Sequence, residues 1–400
     1  MFSSPVSLLL AFTAVAAVMH RVGVWLTLRF ARSAAGLDEP AGELPGLTLL
    51  KPIKGDEEQL ADNLRSFFEQ QYPGPLQLVF CATEAGDPGM AVARAVAAEY
   101  PEADVSFVHS RDDFGLNPKV SNMHGGLLAA RHDLVLQSDA NVRIEPGYLR
   151  GVVAELLASD AALLGSLVVG VGERSLGAQL ENTQLTAFTL PGVCTARELA
   201  NIQCVLGKAM LFRRSELERI GGLARVKDVL AEDYVLAQVF EAEGRKVVVS
   251  PRTVQNINVD TPLERFFARH SRWLKMRAVV SIPGHVADLG SNPFPLSLLA
   301  WALSGFDGRL LLVALLVALH KAHCDAQLMR GVRGKSLGLA QLWVSPLRDL
   351  SLAALWLYST LSRSTDWRGR RFLLGPGSVL IPNDGPLAVR LRRRLRLIRG

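Results

Sequence analysis

The chain has 400 residues, which is more than one typical domain needs, and 49% of them are hydrophobic. The net charge is +6, but aromatic and basic residues are little interleaved, so no nucleic-acid partner is expected. The mean hydropathy of +0.21 is high for a wholly water-soluble protein, and the apolar excess lies at the two ends. The four cysteines form no CxxC pair and no zinc-ligand spacing, which argues against a zinc site and favours a reducing compartment.

The first apolar segment runs from Val6 to Leu28 and is long enough to cross a bilayer. Arg29 and Arg32 follow it, whereas a cleaved signal peptide carries its basic residues in front. The sequence therefore predicts a transmembrane anchor over residues 1–32, with the domain that follows on the cytoplasmic face. A tilted or interfacial helix is the alternative, because the segment contains a polar pair, His20-Arg21.

Residues 33–285 alternate between short apolar runs and segments with helical spacing, which predicts an α/β domain with a mostly parallel sheet and helices on both faces. The predicted strands are Leu47–Leu50, Leu76–Cys81, Val105–Val108, Leu134–Leu136, Leu163–Val169, Cys204–Phe212 and Val247–Ser250. The predicted helices are Asp56–Gln71, Met90–Tyr100, Met123–Ala130, Gly147–Leu157, Ser215–Ile220, one that starts near Leu230 and one from Leu263. Ser175–Ala200 is mixed in pattern and predicts no element.

Asp139 and Asn141 follow the predicted strand Leu134–Leu136. In open α/β sheets, ligands bind beyond the carboxyl ends of strands. An acid and an oxygen-bearing side chain two residues apart offer the hard oxygens that divalent cations bind. The alternative is an ordinary turn, since Asp and Asn favour turns by bonding to their own backbone.

Three lysines stand where a phosphate group could be bound. Lys51 and Lys54 follow the first strand and fit either a nucleotide diphosphate or a solvated turn. Lys119, at the start of a predicted helix, combines charge with the helix dipole and fits a phosphate site or a solvated first turn. No GxGxxG or Walker motif is present in the sequence, which disfavours dinucleotide and P-loop proteins.

Two further groups of charged residues come later in the chain. Asp233 opens a predicted helix, where the dipole favours acids, and burial or charged neighbours would fit it to act as a general base. In the predicted helix beginning at Leu263, a single face carries Arg269, Arg272 and Trp273. Two arginines on one face call for a nearby anion, either a diphosphate or an anionic lipid.

Three apolar segments within residues 286–365 predict membrane-embedded helices: Pro293–Gly305, Leu310–His320 and Leu342–Leu361. Arg348 and Asp349 in the last segment must pair or face protein. Three crossings would put the basic end, residues 366–400, outside, against the positive-inside tendency, so one segment is expected to be interfacial or re-entrant.

Several blocks occur in order along the chain: LLKPIKG, GLNPKVSN, SDANVRI, LAEDY, RHSRW and DWRGRRF. Asp87, Asp139, Asp233 and the Arg269-x-x-Arg272-Trp273 segment form a D, D, D, (Q/R)xxRW order. This order resembles family 2-like inverting glycosyltransferases with a GT-A fold. More closely, the chain resembles the ceramide glucosyltransferases and their bacterial relatives, over most of its length.

The resemblance implies a membrane-bound enzyme, in a bacterial inner membrane, that moves a sugar from a UDP-sugar to the hydroxyl of a lipid such as ceramide. Asp87 would lie near the uridine, and Asp139, with Asn141 as a weaker ligand, would hold Mg²⁺ or Mn²⁺ on the diphosphate. Asp233 would deprotonate the acceptor. The remaining residues implied for the donor or acceptor are Lys119, Arg269, Arg272 and Trp273.

The sequence departs from the family at two positions. Leu190 stands where animal members carry a histidine, so any role of that histidine does not transfer, and Asn141 stands where a second carboxylate would bind metal more strongly. Alternative functions are a hopanoid-lipid N-acetylglucosaminyltransferase, which shares these blocks, and a non-catalytic membrane scaffold. A processive polysaccharide synthase is disfavoured by Arg269, where glutamine is expected, and by the short C-terminal region.

Overall fold

The computed structural model describes residues 4–36, 42–111, 113–367 and 369–383. The basic run from Arg390 to Arg399 lies outside the described residues.

An eight-stranded sheet forms the centre of the α/β domain, in the order β3-β2-β1-β4-β7-β6-β8-β5. Its strands are β1 (Leu47–Pro52), β2 (Leu76–Ala82), β3 (Asp104–His109), β4 (Leu134–Ser138), β5 (Val142–Arg143), β6 (Leu163–Val171), β7 (Ala209–Arg213) and β8 (Val247–Ile257). Pairing is parallel between β1 and β2, β2 and β3, β1 and β4, and β6 and β8. Because β7 is antiparallel to both β4 and β6, these two strands point the same way. Six strands therefore end at one edge of the sheet.

The helices that precede, connect or follow these strands are α1 (Ser4–Ser33), α2 (Leu60–Phe68), α3 (Pro88–Ala97), α4 (Pro118–Leu128), α5 (Tyr148–Ser159), α6 (Leu176–Gln184), α7 (Leu190–Ala200), α8 (Arg214–Arg219), α9 (Glu232–Ala242) and α10 (Leu263–Val280). Alternate residues of β4 face opposite cores: Leu134 and Leu136 pack with α2, α3 and α5, and Val135 packs with α4, α8 and α9. The predicted α/β architecture with helices on both faces is confirmed.

Two of the predicted boundaries that are wrong lie next to the edge where the parallel strands end. The helix expected from Asp56 begins only at Leu60, because Gln59 takes the left-handed conformation with φ 54° and Glu58 accepts hydrogen bonds from the Val259 and Asp260 N–H groups. The strand expected from Cys204 begins only at Ala209. Residues 204–208 form a loop at the edge where β4 ends.

The segment without a predicted element, Ser175–Ala200, is helical from Leu176 onward, with Ser175 as the N-cap. A π-helical turn over Leu185–Thr189 joins α6 to α7. Such wide turns interrupt the 3.6-residue spacing of apolar residues, which explains why the pattern is mixed. The Thr186 hydroxyl accepts a hydrogen bond from the Gly170 N–H at 3.0 Å and ties this turn to the end of β6.

The C-terminal part contains α11 (Ile282–Gly290), α12 (Pro293–Leu303), α13 (Gly308–Arg333) and α14 (Gln341–Leu361). Among the described residues, two helices are long and apolar enough to cross a membrane, α1 and α13. The helix predicted over Leu310–His320 corresponds to α13, which is longer than expected because it runs from Gly308 to Arg333. At 11 residues, α12 is too short to span a bilayer of ~30 Å on its own.

The fully buried charged residues in these apolar helices pair with one another, as expected for Arg348 and Asp349. Arg348 Nη2 lies 3.0 Å from Asp325 Oδ2 and 2.5 Å from Asp349 Oδ1. Asp325 also accepts from His20 Nε2 of α1 at 3.1 Å. This buried cluster joins α1, α13 and α14.

Residues 366–400 were expected to form a basic tail, but the described part forms a small antiparallel sheet of β9 (Ser364–Trp367), β10 (Arg370–Leu374) and β11 (Leu380–Pro382). The Leu230 N–H donates to the Ser378 carbonyl oxygen at 3.0 Å, and the Ala231 N–H donates to Oγ of Ser378 at 3.0 Å. This sheet therefore supports the loop directly before α9 and Asp233.

Candidate active site at the carboxyl edge of the sheet

Three predicted site residues, Asp139, Lys119 and Asp233, meet at the edge where the parallel strands end. Asp139 follows β4, and Ser138 pairs with Ala209 at the start of β7. The loop that leads into β7 therefore runs past Asp139, and the Asp139 N–H donates to the Lys208 carbonyl oxygen at 3.2 Å. Lys119 on α4 and Asp233 on α9 face the same loop through Gly207.

Lys119 lies at the centre of this cluster. Its Nζ lies 3.0 Å from Oδ1 of Asp139 and 3.0 Å from Oε1 of Glu232, and it donates to the Gly207 carbonyl oxygen at 2.8 Å. Burial opposes the charge of Lys119, but Asp139, Glu232 and Asp233 outweigh it and hold the pKa of the ammonium above its usual value. Lys119 is thus a fixed cation among carboxylates and not a solvated first-turn lysine.

The Asn-Pro-Lys start of α4 explains how Lys119 is held. Asn117 is fully buried, and its Oδ1 caps the helix by accepting from the Lys119 and Val120 N–H groups at 2.9 and 3.2 Å. Its amide nitrogen donates to the Val229 carbonyl oxygen at 2.7 Å and to Glu232 Oε2 at 3.3 Å. Asn117 therefore fixes α4 against the start of α9.

Asp139 lies between two ammonium groups, because Lys208 Nζ is 3.1 Å from its Oδ2. Burial would raise the pKa of Asp139, but Lys119 and Lys208 outweigh burial and hold it well below its usual value. Lys208 also donates to Asn141 Oδ1 at 3.0 Å. One carboxylate oxygen and one amide oxygen therefore converge on a single cationic group.

These two oxygens fit a divalent cation by their chemistry. Mg²⁺ commonly binds one or two carboxylates together with water and substrate phosphates. Within the described part of the chain, no cluster of three or more His, Cys, Asp or Glu side chains is placed to hold a metal. A cation at Asp139 and Asn141 would replace the Lys208 ammonium, whose flexible side chain can swing outward, and would take its remaining ligands from substrate and water.

Asp233 is half-buried beside the same loop. Its Oδ2 accepts from the Gly207 N–H at 2.5 Å, and its Oδ1 accepts from the Tyr234 N–H at 2.8 Å. Burial and the neighbouring Glu232 raise the pKa of Asp233 to about 6, against the opposing effect of Lys119 and the two backbone donors. A carboxyl group with this pKa suits general acid–base chemistry near neutral pH.

Gly207 is needed for this approach. A Cβ atom at this position would lie 2.8 Å from Asp233 Oδ2 and 3.0 Å from Lys119 Nζ. A side chain here would therefore separate the two residues that the loop joins.

Asp87 lies at the end of β2, as predicted, but its carboxylate has local partners. Oδ1 and Oδ2 accept from the Gly55 N–H at 3.0 and 2.8 Å, and Oδ1 caps α3 by accepting from the Gly89 N–H at 2.8 Å. Asp87 therefore fixes the loop after β1. Its predicted contact with uridine stays a prediction.

The two lysines that follow β1 differ from each other. Lys51 is fully buried, with Nζ 3.6 Å from the centre of the Phe67 ring, and it donates to the Asp139 carbonyl oxygen at 2.9 Å. Burial lowers the pKa of Lys51 well below its usual value. Lys54 is exposed and pairs with Glu84 at 3.0 Å. Lys51 therefore supports the Asp139 turn from within the core, which neither predicted alternative included.

Arg269 on α10 already has a buried anion beside it. Its Nη1 lies 2.8 Å from Oε1 of Glu181, and His270 Nε2 lies 3.0 Å from Oε2 of the same carboxylate. Burial would raise the pKa of Glu181, but His270 and Arg269 outweigh it and lower the pKa to about 2. The Glu181 carboxylate thus provides an anion for Arg269, one of the two arginines on this face of α10.

The Glu181 pair lies near the Asp139 turn. Arg269 also donates to Asn258 Oδ1 at 3.3 Å, and the preceding residue, Ile257, donates its N–H to the Asn141 carbonyl oxygen at 2.9 Å. Trp273, one turn along α10, meets the His270 ring edge-on at 5.2 Å, and Arg272 beside it is partly exposed. α10 therefore borders the same edge of the sheet.

Four residues that take part in this site were not predicted as site residues: Gly207, Lys208, Glu181 and Glu232. The LAEDY block could have indicated Glu232, because this residue directly precedes Asp233 there. Gly207 and Lys208 were assigned to the predicted strand Cys204–Phe212 and so were not recognised as loop residues. Glu181 lay in Ser175–Ala200, for which no element was predicted.

The carboxylates, lysines and arginines at this edge are the groups that binding of a phosphate-containing substrate and base-assisted transfer require. Residues 8–380 match the profile of glycosyl transferase family 21. The chain belongs to this family and is a glycosyltransferase, as the motif order predicted.

The relatives point to one group within the family. Ceramide glucosyltransferase 3 of Caenorhabditis elegans is 24% identical over 85% of this chain and 75% of its own length. Ceramide glucosyltransferase 1 of the same organism is 28% identical over 60% of this chain and 51% of its own length, and the Komagataella phaffii ceramide glucosyltransferase is 26% identical over 59% and 57%. The matches to these last two span little more than half of their lengths.

Two solved structures are examples of proteins similar to the chain. A mannosyltransferase from Pyrobaculum calidifontis, in complex with GDP-Man and Mn²⁺, is 18% identical with a TM-score of 0.44, over 87% of this chain and 99% of that one. TarS from S. aureus, residues 1–349 in complex with UDP-GlcNAc, is 14% identical with a TM-score of 0.38, over 84% and 99%.

Proposed function

We propose that the chain is a membrane-bound inverting transferase that moves glucose from a UDP-sugar to the hydroxyl group of ceramide or a closely related lipid. The family match and the names of the relatives support the reaction class and the acceptor class. A bacterial inner membrane as its location stays a prediction.

One observation carries the proposed mechanism: the Asp233 carboxylate lies beside Lys119, which in turn contacts Asp139. A base and a diphosphate-binding carboxylate are thereby fixed in one cluster. Asp233 takes the proton from the acceptor hydroxyl as its oxygen attacks the anomeric carbon. The glycosyl–oxygen bond forms while the bond to the UDP oxygen breaks, and UDP leaves from the opposite face with inversion.

Two backbone hydrogen bonds keep the base in position. Because both Asp233 oxygens accept from N–H groups, at 2.5 and 2.8 Å, the carboxylate is restricted before the acceptor arrives. A restricted base loses less entropy on reaching the transition state. Glu232 serves as a positioning residue, because its charge raises the pKa of Asp233 while its Oε1 contacts Lys119 at 3.0 Å.

The donor diphosphate is proposed to bind at Asp139. A divalent cation, Mg²⁺ or Mn²⁺, would be held by Asp139 with the help of Asn141 and would supply positive charge to the leaving diphosphate. Lys119 adds positive charge on the protein side of the same carboxylate. Arg272 and the indole of Trp273 are proposed to border the diphosphate and acceptor, and Glu181 holds Arg269 in place for the same task.

The membrane placement follows from the helices. α1 and α13 are proposed to cross the bilayer, with the α/β domain at their carboxyl ends. Phe30 at the end of α1 packs with Leu167 and Val169 of β6, and Arg333 at the end of α13 pairs with Glu173 at 2.6 Å. Arg29 and Arg32 favour this end on the cytoplasmic side.

The proposal is tested with purified full-length protein in lipid nanodiscs. UDP release is measured with UDP-glucose and ceramide, and the lipid product is identified by mass spectrometry. UDP-N-acetylglucosamine with a hopanoid acceptor forms the comparison arm. Glucosylated ceramide is expected. No turnover with ceramide in any donor combination, or preference for the hopanoid pair, would refute the proposed substrates.

A further inference from the structure

A cavity of about 400 Å³ lies between α1 and α13, away from the carboxylate cluster. Its α1 side is formed by Arg21, Val24, Trp25, Leu28 and Arg32, which follow the spacing of one helix face. Arg330 of α13 completes the basic rim. The cavity therefore combines an apolar wall with three arginines.

The two helices run side by side in the same direction. His20 contacts Asp325, Val24 packs with Leu328, and Leu28 lies against Gly331, so the contacts advance together along both helices. A Cβ atom at Gly331 would collide with the end of the Leu28 side chain. The missing side chain lets the helices approach at this point and leaves a groove beside them.

The arginines of the groove are not neutralised by acids. None of the residues that line it is acidic. Arg21 donates to Gln327 and lies 3.8 Å from the Cys324 sulfur, both neutral groups. Arg32 and Arg330 are exposed and have no carboxylate partner in the described part of the chain, whereas nearby Arg333 is paired with Glu173. The groove therefore has an uncompensated positive charge.

The geometry points to a phosphate-containing ligand with an apolar part. Guanidinium groups bind phosphate oxygens through two parallel hydrogen bonds, and basic pockets between membrane helices on the cytoplasmic side suit anionic lipid head groups. Arg21 and Arg32 are separated by about 16 Å along α1, at 1.5 Å per residue, and they are the first and last α1 residues that line the groove. Trp25 is 56% exposed beside the groove, as is common for tryptophan at a membrane interface.

We propose that this groove binds an anionic glycerophospholipid, with the phosphate between Arg32 and Arg330 and an acyl chain against Val24 and Leu28. Ceramide carries no phosphate, so the groove is distinct from the proposed acceptor site in its chemistry. The inference rests on the proposed membrane placement of α1 and α13 but not on the sugar-transfer reaction.

The test is native mass spectrometry of the full-length protein with equimolar phosphatidylglycerol and phosphatidylcholine of matched acyl chains. The wild type is expected to retain phosphatidylglycerol preferentially. The Arg32→Gln/Arg330→Gln double variant is expected to lose about tenfold in affinity for it, because two charge-assisted contacts are removed. Lys335→Gln is the matched control, since it removes one exposed charge at the same end of α13 without touching the groove, and its binding should not change.

Three results would overturn the proposal: equal retention of the two lipids, unchanged binding by the double variant, or displacement of the lipid by millimolar glycerol 3-phosphate. A photoactivatable phosphatidylglycerol added to the wild type provides a second test that needs no variant. Its cross-links should map to the peptides containing Trp25 or Arg330, and cross-links elsewhere only would refute the site.

Turnover of UDP-glucose is measured on the same samples. Activity without selective lipid binding would refute the groove alone, and selective lipid binding without activity would refute the transferase proposal alone.

Discussion

Lys119 Nζ lies 3.0 Å from Asp139 Oδ1 and thereby links the first helical turn of α4 to the end of β4. The same ammonium contacts Glu232, the residue before the proposed base. The Lys119 ammonium thus balances two sets of negative charge. One is Asp139, which is proposed to bind the donor diphosphate. The other is the acidic pair Glu232-Asp233, which is proposed to act on the acceptor.

Replacing Lys119 by methionine should lower kcat by about a hundredfold, since a fixed charge in a buried site contributes this much to charge stabilisation. The pKa of Asp233 should also rise, because Lys119 lowers it in the wild type. The acid limb of the pH–rate profile should therefore move to higher pH. Lys119→Arg retains the charge and should retain the wild-type limb; an identical shift in both variants would contradict the electrostatic role.

The pH dependence of the wild type follows from Asp233. Its carboxylate must be deprotonated to accept a proton, so kcat/KM should fall as the pH drops through about 6. Glu232→Gln removes a neighbouring negative charge, which lowers the pKa of Asp233 and should keep the enzyme active at lower pH. Glu243→Gln, an exposed change at the other end of α9, serves as the control. An unshifted acid limb in Glu232→Gln would argue against this coupling.

The strands and their terminal acids were predictable because both are local signals. Short continuous apolar runs made β1, β2 and β4 recognisable as buried strands. The carboxyl ends of parallel strands necessarily meet at one edge. Asp139 could therefore be placed at this edge from the local pattern, whereas Asp233, which opens a helix, was assigned to the same site through the family resemblance.

The partners of those acids were not predictable from local pattern. Gly207 matters only because Asp233 and Lys119 pack against it from two other helices. Glu181 sits next to a π-helical turn that disrupts helical periodicity, and its partners Arg269 and His270 are about ninety residues away in the chain. Lys51 was predicted to contact a diphosphate or to lie in a solvated turn, yet it is buried in the core between the Phe67 ring and the Asp139 carbonyl oxygen.

Glu181→Gln should destabilise the protein by about 3 kcal/mol, because removing one partner of a buried ion pair leaves the other charges unpaired. The lowered pKa of Glu181 means that its contribution is complete above the unfolded pKa of about 4.3 and is lost as the pH falls towards about 2. The measurement is thermal unfolding in detergent at pH 7. Glu218→Gln, whose exposed pair with Arg214 spans 3.6 Å, is the control and should change stability little. Equal effects of the two variants would contradict a buried role for Glu181.

The cation requirement is testable at Asn141. Chelation should abolish turnover, and Mg²⁺ or Mn²⁺ should restore it. Asn141→Asp adds a second carboxylate and should lower the metal concentration for half-maximal activity by about tenfold, since affinity follows ligand charge. Asn201→Asp, at the exposed end of α7, controls for the added charge. Full activity in the presence of chelator would show that the lysines alone neutralise the diphosphate.

The central claim is that Asp233 is the base, and single-turnover glucose transfer by Asp233→Asn tests it most directly. With the protein saturated in UDP-glucose and ceramide, the rate of glucosylceramide formation should fall by about 10³-fold, while UDP-glucose affinity stays near that of the wild type. Asp160→Asn, in an exposed left-handed position that asparagine also tolerates, should transfer at the wild-type rate. A wild-type rate in Asp233→Asn would contradict the proposed mechanism.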